Sequence, residues 1–168
     1  MIVFAALNFE LAEDHFSPGI DQRSIVGSVT LSADCREFLK TEKAQKYIED
    51  GVIPSDGIIL EESQYSLHEG DSAFTVLKSA LNENNVLFDY TNVSEHSVYV
   101  KGISNVYEYD GGDLSGWMYS VNGVFPTAAC SEYILENGDE VRWMYTCDLG
   151  RDIGDTYYDT APNVGDSQ

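Results

Sequence analysis

The chain is poor in positive charge. It has nine Lys and Arg residues against 29 Asp and Glu residues, so its formal net charge is −20 over 168 residues. An acidic surface of this kind repels nucleic-acid phosphates and anionic lipid headgroups. The composition therefore argues against nucleic acid and membrane surfaces as partners. Cations, basic proteins and neutral ligands remain open, and the charge also serves solubility alone.

Long apolar runs are missing as well, because no stretch approaches the ~20 residues that span a bilayer. Residues 1–7 are apolar but too few for the apolar region of an export signal, and no basic residue precedes them. We therefore predict no membrane span and see no export signal. The 43% hydrophobic and 12% aromatic fractions are typical of a folded chain with about one domain.

Catalytic motifs are absent from the sequence. It contains no HExxH, P-loop or GxGxxG pattern, and residues 112–116 fail the spacing of a nucleophile elbow. The three histidines are scattered, and none neighbours a cysteine that could act as a nucleophile. We predict no catalytic residues and a protein that is not an enzyme.

Cysteines and clustered acids give little sign of a metal site. Cys35, Cys130 and Cys147 show no CxxC spacing and have no nearby histidine, which argues against zinc. The acidic loops at residues 110–113 and 148–155 lack the D-x-D-x-D-G pattern of a calcium loop. We predict no metal ligands and no cofactor, with calcium as an alternative. One disulfide with a free thiol, or three thiols, remain open.

Residues 115–147 carry the strongest structural signal. They hold both tryptophans and two turn signals, Asn122-Gly123 and Asn137-Gly138, which tolerate the positive φ of tight turns. Side chains of alternating polarity follow from residue 140, as in a half-buried strand. The residues predicted to share the apolar face are Val141, Trp143, Tyr145 and Cys147. We expect Trp143 and Tyr145 to be core residues.

Strands and helices alternate in the rest of the chain. Residues 37–50 predict a helix that Thr41 caps and Gly51 ends. A second helix is predicted after Asp71, its expected cap. Further strands are predicted at residues 27–34, 64–68, 86–90, 97–109 and 133–135. This order predicts an α+β fold, with a β-grasp-like mixed sheet packed by one main helix and a helical insertion after the first strand.

The same signals divide the chain into three regions. Residues 1–26 show no sustained periodicity and are predicted to be an arm or linker. Residues 27–154 are predicted to be the folded domain. Residues 155–168 are predicted to be a disordered acidic tail.

Several short motifs resemble a known family. They are VIPSDGI at 52–58, EGD at 69–71, SGWMYSVNG at 115–123, YILENGDEVRW at 133–143 and YTCDLG at 145–150. In this order and spacing they resemble bacterial domains similar to the C-terminal β-domain of transcobalamin. That family is assigned to the soluble-ligand-binding β-grasp superfamily. The resemblance extends over roughly residues 27–154.

The resemblance implies a non-catalytic module that binds a small soluble ligand. In transcobalamin and intrinsic factor, this domain closes over cobalamin held by a separate helical barrel. The loop after the tryptophan strand contributes to that contact, and by position it is residues 122–129 here. The implied ligand-binding residues are Trp117, Asn122, Val124, Phe125, Pro126 and Thr127. The implied partner is a small molecule, with a corrinoid as the first class to test, or a separate domain that completes the site.

Bacterial members imply an extracellular or cell-surface location. A structural or adhesive surface module that contacts protein, with or without calcium, is the alternative function. If the domain binds a small ligand, corrinoid should shift its melting temperature or quench its tryptophan fluorescence. No response to corrinoid, together with a melting temperature that is sensitive to a chelator, would favour the surface module.

The strand arrangement of a β-grasp sheet also suggests which cysteines could pair. Its first and last strands are parallel neighbours, and Cys35 and Cys147 end those strands, so we predict a disulfide between them. Such a bridge would imply an oxidising compartment. A Cys130–Cys147 bridge and free thiols are the alternatives. In the bacterial domains a cysteine often stands where this chain has Gly111, and its absence leaves Cys130 without an obvious partner.

Overall fold

The computed structural model describes residues 23–157, so most of the predicted arm and tail lies outside the described residues. In chain order the elements are β1 (Ile25–Asp34), a 3₁₀ turn (Phe38–Lys40), α1 (Ala44–Glu49), β2 (Ile58–His68), α2 (Ala73–Glu83), β3 (Phe88–Asn92), β4 (Val98–Ile103), β5 (Val106–Tyr107), β6 (Gly116–Val121), β7 (Glu140–Thr146) and a second 3₁₀ turn (Arg151–Ile153). The strands form a four-stranded sheet in the order β2-β1-β7-β6 and a three-stranded sheet in the order β3-β4-β5.

The four-stranded sheet is mixed, and its first and last strands are central. β1 runs parallel to β7, with Leu31 opposite Val141 and Ala33 opposite Trp143. β2 pairs antiparallel with β1, and β6 pairs antiparallel with β7. The predicted α+β class and β-grasp-like mixed sheet are confirmed.

The core forms where α2 and the two sheets meet. The alternation read from the sequence holds, because Val141, Trp143 and Tyr145 are each at most 2% exposed. Helix α2 contributes Phe74 and Leu77 to the same buried cluster, and the Phe74 ring also meets a ring of β3 edge-on. Burying such apolar side chains supplies most of the free energy that holds a short helix on a sheet.

Helix α2 begins one residue later than predicted. Ser72 is its N-cap, and its Oγ accepts from the Thr75 N–H at 3.2 Å while Thr75 Oγ1 accepts from the Ser72 N–H at 2.8 Å. The prediction that Asp71 caps this helix is wrong. Its buried carboxylate instead accepts from the His68 N–H at 2.8 Å and pairs with Arg23 at 2.6 Å, which ties the end of β2 to the start of β1.

The first helical insertion is broken where a single helix was predicted. Thr41 is extended, with φ −86° and ψ 158°, and its hydroxyl donates to the Phe38 carbonyl at 2.8 Å. It therefore ends the 3₁₀ turn and does not begin α1. Gly51, with φ +69°, follows the last turn of α1, as expected for a residue that ends a helix.

Three predicted strand segments have partners that the sequence did not indicate. Residues 86–90 and 97–109 contribute β3, β4 and β5, which form the separate second sheet. Residues 133–135 do not form a hairpin with β7, because the Tyr133 carbonyl and the Leu135 N–H bond to Ala73 and Asp71 at the start of α2. The strand predicted at 64–68 is longer and begins at Ile58.

Cys35, Cys130 and Cys147 are free thiols, so neither the Cys35–Cys147 bridge nor the Cys130–Cys147 alternative is formed. The parallel register of β1 and β7 explains why Cys35 and Cys147 are not bridged. Asp34 lies opposite Met144, so the next pair would set Cys35 beside Tyr145, two residues short of Cys147. Two residues along a strand and one strand spacing separate Cα atoms by about 8 Å, beyond disulfide reach.

Burial keeps these thiols protonated. It raises the pKa of Cys35 to about 12, and the neighbouring Asp34 carboxylate adds to that shift. It also raises the pKa of Cys130 and of Cys147 to about 11. At neutral pH none is a thiolate, so all three are weak nucleophiles and weak metal ligands.

Gly111 lies beside Cys147, and this corrects the expectation that its identity concerns Cys130. A Cβ at residue 111 would be 2.8 Å from Cys147 Sγ and 3.1 Å from Tyr145 Cε1. A cysteine at this position would therefore face Cys147, whereas Cys130 donates its thiol proton to the Val98 carbonyl at 3.5 Å.

Replacing the N-cap tests the start of α2. Ser72→Ala leaves the Thr75 N–H without its acceptor, and we expect the free energy of unfolding to fall by about 1 kcal/mol. Urea unfolding measures it. Ser79→Ala, at an exposed position within α2, is the matched control and should leave stability unchanged or slightly higher because alanine favours helix. Equal losses in both variants would contradict the capping role.

Gly111→Cys tests the geometry around Cys147. Under oxidising conditions we expect a 111–147 bridge, which closes a loop of 37 residues and stabilises by about 4 kcal/mol in the chain-entropy model, less any strain. Titration of unfolded protein should find two thiols, not four. Gly111→Ala adds the same Cβ without a sulfur and should lower stability, because that Cβ crowds Cys147. Four titratable thiols after oxidation would show that the geometry is wrong.

Candidate ligand-binding site

A cleft of about 510 Å³ lies between β4 and β6. Residues 97–100 form one wall and residues 117–119 form the other. Residues 126–130, from the loop that joins β6 to β7, border it, and Trp143 of β7 also lines it. The cleft thus lies where the edge of the four-stranded sheet meets the second sheet.

The cleft walls are mainly aromatic and aliphatic. Trp117, Tyr119 and Trp143 are respectively 5%, 9% and 2% exposed. Tyr119 and Trp143 stack with ring centroids 5.4 Å apart and planes inclined by 26°. Of the described residues that line the cleft, Glu132 alone carries a charge. Such walls suit a neutral ligand that has both apolar and polar groups.

Tyr119 fixes the loop to the strand beneath it. Its hydroxyl donates to the Ala128 carbonyl at 2.8 Å. Burial raises the pKa of Tyr119, and the nearby Cys130 adds to the shift, so this donor stays protonated at physiological pH. Ser131 adds a second tie, because its Oγ accepts from the Val98 N–H at 2.9 Å and donates to the His96 carbonyl at 2.8 Å. The cleft is therefore held in a preformed shape.

The two tryptophans have different roles. Trp117 Nε1 donates to the Val106 carbonyl at 2.8 Å, so the indole joins β6 to β5 and presents only its ring to the cleft. Trp143 is a core residue, as predicted, and its buried Nε1 has no hydrogen-bond partner within residues 23–157. Trp117 thus combines a structural bond with a place in the cleft wall.

The structure brings together only some of the predicted ligand residues. Trp117, Pro126 and Thr127 line the cleft. Phe125 lines a second cavity of about 250 Å³, which shares Pro126 and Thr127 with the first and is bordered by Tyr157. The loop rim at residues 126–127 therefore separates two adjoining cavities.

Two predicted ligand residues line neither cavity. Asn122, with φ +52°, forms the predicted tight turn with Gly123. Its side chain donates to Asp139 Oδ1 at 2.8 Å and accepts from the Glu140 N–H at 2.9 Å, so it braces the start of β7. Val124 is 66% exposed at the loop tip.

The wall that β4 provides was not predicted from the sequence. Residues 97–100 read as an ordinary strand, and nothing in their order shows that they face β6. Tyr119 was recognisable only as one of several aromatic residues. Tyr99, which is 39% exposed, also lines the cleft, and its partial burial together with a hydrogen bond to Glu108 raises its pKa.

The acidic loops serve the fold through turn capping. Asp152 accepts from the Thr146 hydroxyl and, at 2.7 Å, from the Cys147 N–H, while Asp110 accepts from the Tyr107 N–H at 2.8 Å. Across residues 23–157, no group of three His, Cys, Asp or Glu side chains is arranged to hold a metal ion. In the same range no helix has the length and apolarity to cross a membrane.

Comparison with known proteins finds a family model that matches part of the sequence. Residues 70–147 match the family model described as "Domain of unknown function (DUF4430)". No curated protein matches the sequence.

Among solved structures, haptocorrin in complex with Cbi matches 73% of this chain, with a TM-score of 0.54 and 15% sequence identity. The chain spans 25% of the haptocorrin chain, and at this identity the likeness shows a shared fold. A candidate metal binding protein from Ruminococcus gnavus ATCC 29149 matches 71% of this chain and 96% of its own, with a TM-score of 0.41 and 11% identity. Residues 70–147, just under half of the chain, are thus similar to the DUF4430 family.

Proposed function

We propose that this domain is a non-catalytic binding module that takes a small soluble ligand in the cleft between β4 and β6. The observation that carries the proposal is the cleft itself. Its volume of about 510 Å³ lies within the range of small-molecule sites, and its aromatic walls are tied in place. A preformed wall lowers the ordering cost of binding.

Corrinoids are the first ligand class to test. The shared fold with haptocorrin, which was solved in complex with Cbi, supports this choice, as does the transcobalamin-like family of residues 70–147. Tyr119 and Trp143 stack on each other and are almost fully buried, so they form an apolar support beneath the cleft. Because the chain spans a quarter of haptocorrin, we propose that a separate domain or protein completes the site.

The loop after β6 would form the rim of the site. Pro126 and Thr127 border both cavities, so a ligand larger than the cleft would extend over them towards Phe125. This keeps part of the predicted ligand set and leaves Asn122 in a structural role. We also propose an extracellular or cell-surface location, which the family resemblance supports.

Cyanocobalamin added to the pure protein tests the proposal. A ligand at a hundred times its Kd should raise the free energy of unfolding by about 2.7 kcal/mol, seen as a higher melting temperature, and calorimetry gives the Kd. Ala128→Arg places a long side chain at the cleft rim and should weaken binding at least ~10-fold, which is about 1.4 kcal/mol.

Val124→Arg is the matched control, because it adds the same charge to the same loop at an exposed tip outside both cavities. It should leave the Kd unchanged. Weaker binding in Val124→Arg with no change in Ala128→Arg would move the site to the loop tip. No response of the unmodified protein to cyanocobalamin would remove corrinoids as the ligand class.

A further inference from the structure

The cleft between β4 and β6 carries charge of one sign. Among the described residues that line it, Glu132 is the one charged residue, and it is exposed. Glu132 belongs to the loop that joins β6 to β7, and its N–H donates to the Ala129 carbonyl at 2.9 Å. Because Ala129 also lines the cleft, this hydrogen bond holds the backbone of Glu132 in a turn at the cleft rim.

The negative charge of Glu132 acts on the interior of the cleft. Burial raises the pKa of Tyr119, and Cys130, Tyr133 and Glu132 add to that shift electrostatically. Tyr119 forms part of the cleft wall. A carboxylate that disfavours a second negative charge at this wall favours a positive charge in the same space.

No basic group on the elements around the cleft offsets this charge. The loop of residues 122–139 and strand β6 contain no Lys, Arg or His. The basic residues on β4, just before β4 and on β7 each lie next to an acid of their own: Lys101 with Asp89 at 3.4 Å, His96 with Glu95 at 4.0 Å and Arg142 with Glu140 at 3.6 Å. Since the whole chain has a net charge of −20, the cleft lies in a negative field.

The other polar side chains of the cleft could assist a cation. Ser97 beside β4 and Thr127 of the loop both line the cleft and bring neutral hydroxyl groups to it. An ammonium group has three N–H donors, and hydroxyl and carboxylate oxygens accept from them. The apolar part of the walls would then take the neutral body of the same ligand.

We propose that the cleft prefers a ligand whose neutral body carries one positively charged group, and that Glu132 is the residue that determines this preference. The inference rests on the proposed function, because it names the charge of a ligand that binds in the same cleft. Glu132 is exposed, so its ion pair with the ligand should be modest. We expect a preference of roughly fivefold in Kd, the upper range for exposed ion pairs.

Three probes of similar shape test the charge preference. Cyclohexylmethylamine is a cation at neutral pH, cyclohexylmethanol is neutral, and cyclohexanecarboxylate is an anion. Nuclear magnetic resonance titration gives the Kd of each probe from the backbone amide signals of Tyr119 and Val98, which lie on opposite walls. We expect the amine to bind roughly fivefold more tightly than the alcohol, and the carboxylate to bind most weakly.

Two variants separate Glu132 from the overall charge of the domain. Glu132→Gln removes the charge and keeps the size of the side chain, so the amine and the alcohol should then bind within about twofold of each other. Glu136→Gln is the matched control, because it removes the same charge from the same loop at an exposed position that lines neither cavity. It should keep the preference for the amine.

The outcomes distinguish this inference from the broader proposal. Equal Kd values for the amine and the alcohol in the unmodified protein overturn the charge preference and leave the cleft as a site for neutral ligands. A preference that survives Glu132→Gln, or that is lost equally in Glu136→Gln, overturns the role of Glu132. Saturable binding of cyanocobalamin without any response to the amine overturns the inference alone. If neither the three probes nor cyanocobalamin shifts a signal from the cleft, both proposals fail.

Discussion

The parallel pairing of β1 with β7 is the constraint on which the rest of the structure depends. It joins the first and last strands in the middle of the four-stranded sheet, with residues 30–34 opposite residues 140–144. β6 has β7 as its sheet neighbour, so the wall of the cleft is positioned by this pairing. The core beneath it, formed by alternating residues of both central strands, supplies the apolar burial that holds the pair together.

Elements with strong local signals could be predicted from the sequence. The alternation around Trp143 and the positive φ demanded by Asn122-Gly123 are local properties, and both appear in the structure as expected. Capping was less predictable. Asp71 and Ser72 are adjacent and both accept hydrogen bonds readily, and only the tertiary partners of Asp71 decide that Ser72 caps the helix.

The site was predictable only in part, for a similar reason. The family resemblance marks the loop after the tryptophan strand as ligand-binding, and it therefore predicts Pro126 and Thr127. It does not predict the opposite wall at Val98 and Val100, because the choice of strand partners depends on contacts that are distant in sequence. An open strand edge is a property of topology. It cannot be predicted from residue types, because Tyr119 on that edge resembles any other aromatic core residue in the sequence.

The central pair also determines how the domain responds to force. Parallel neighbours at opposite ends of the chain are loaded in shear when the two termini are drawn apart, so their hydrogen bonds must yield together instead of one after another. The antiparallel outer strands lie outside that line of tension. Because β7, one of the two loaded strands, positions β6, the cleft beside β6 would keep its shape only for as long as the central pair holds.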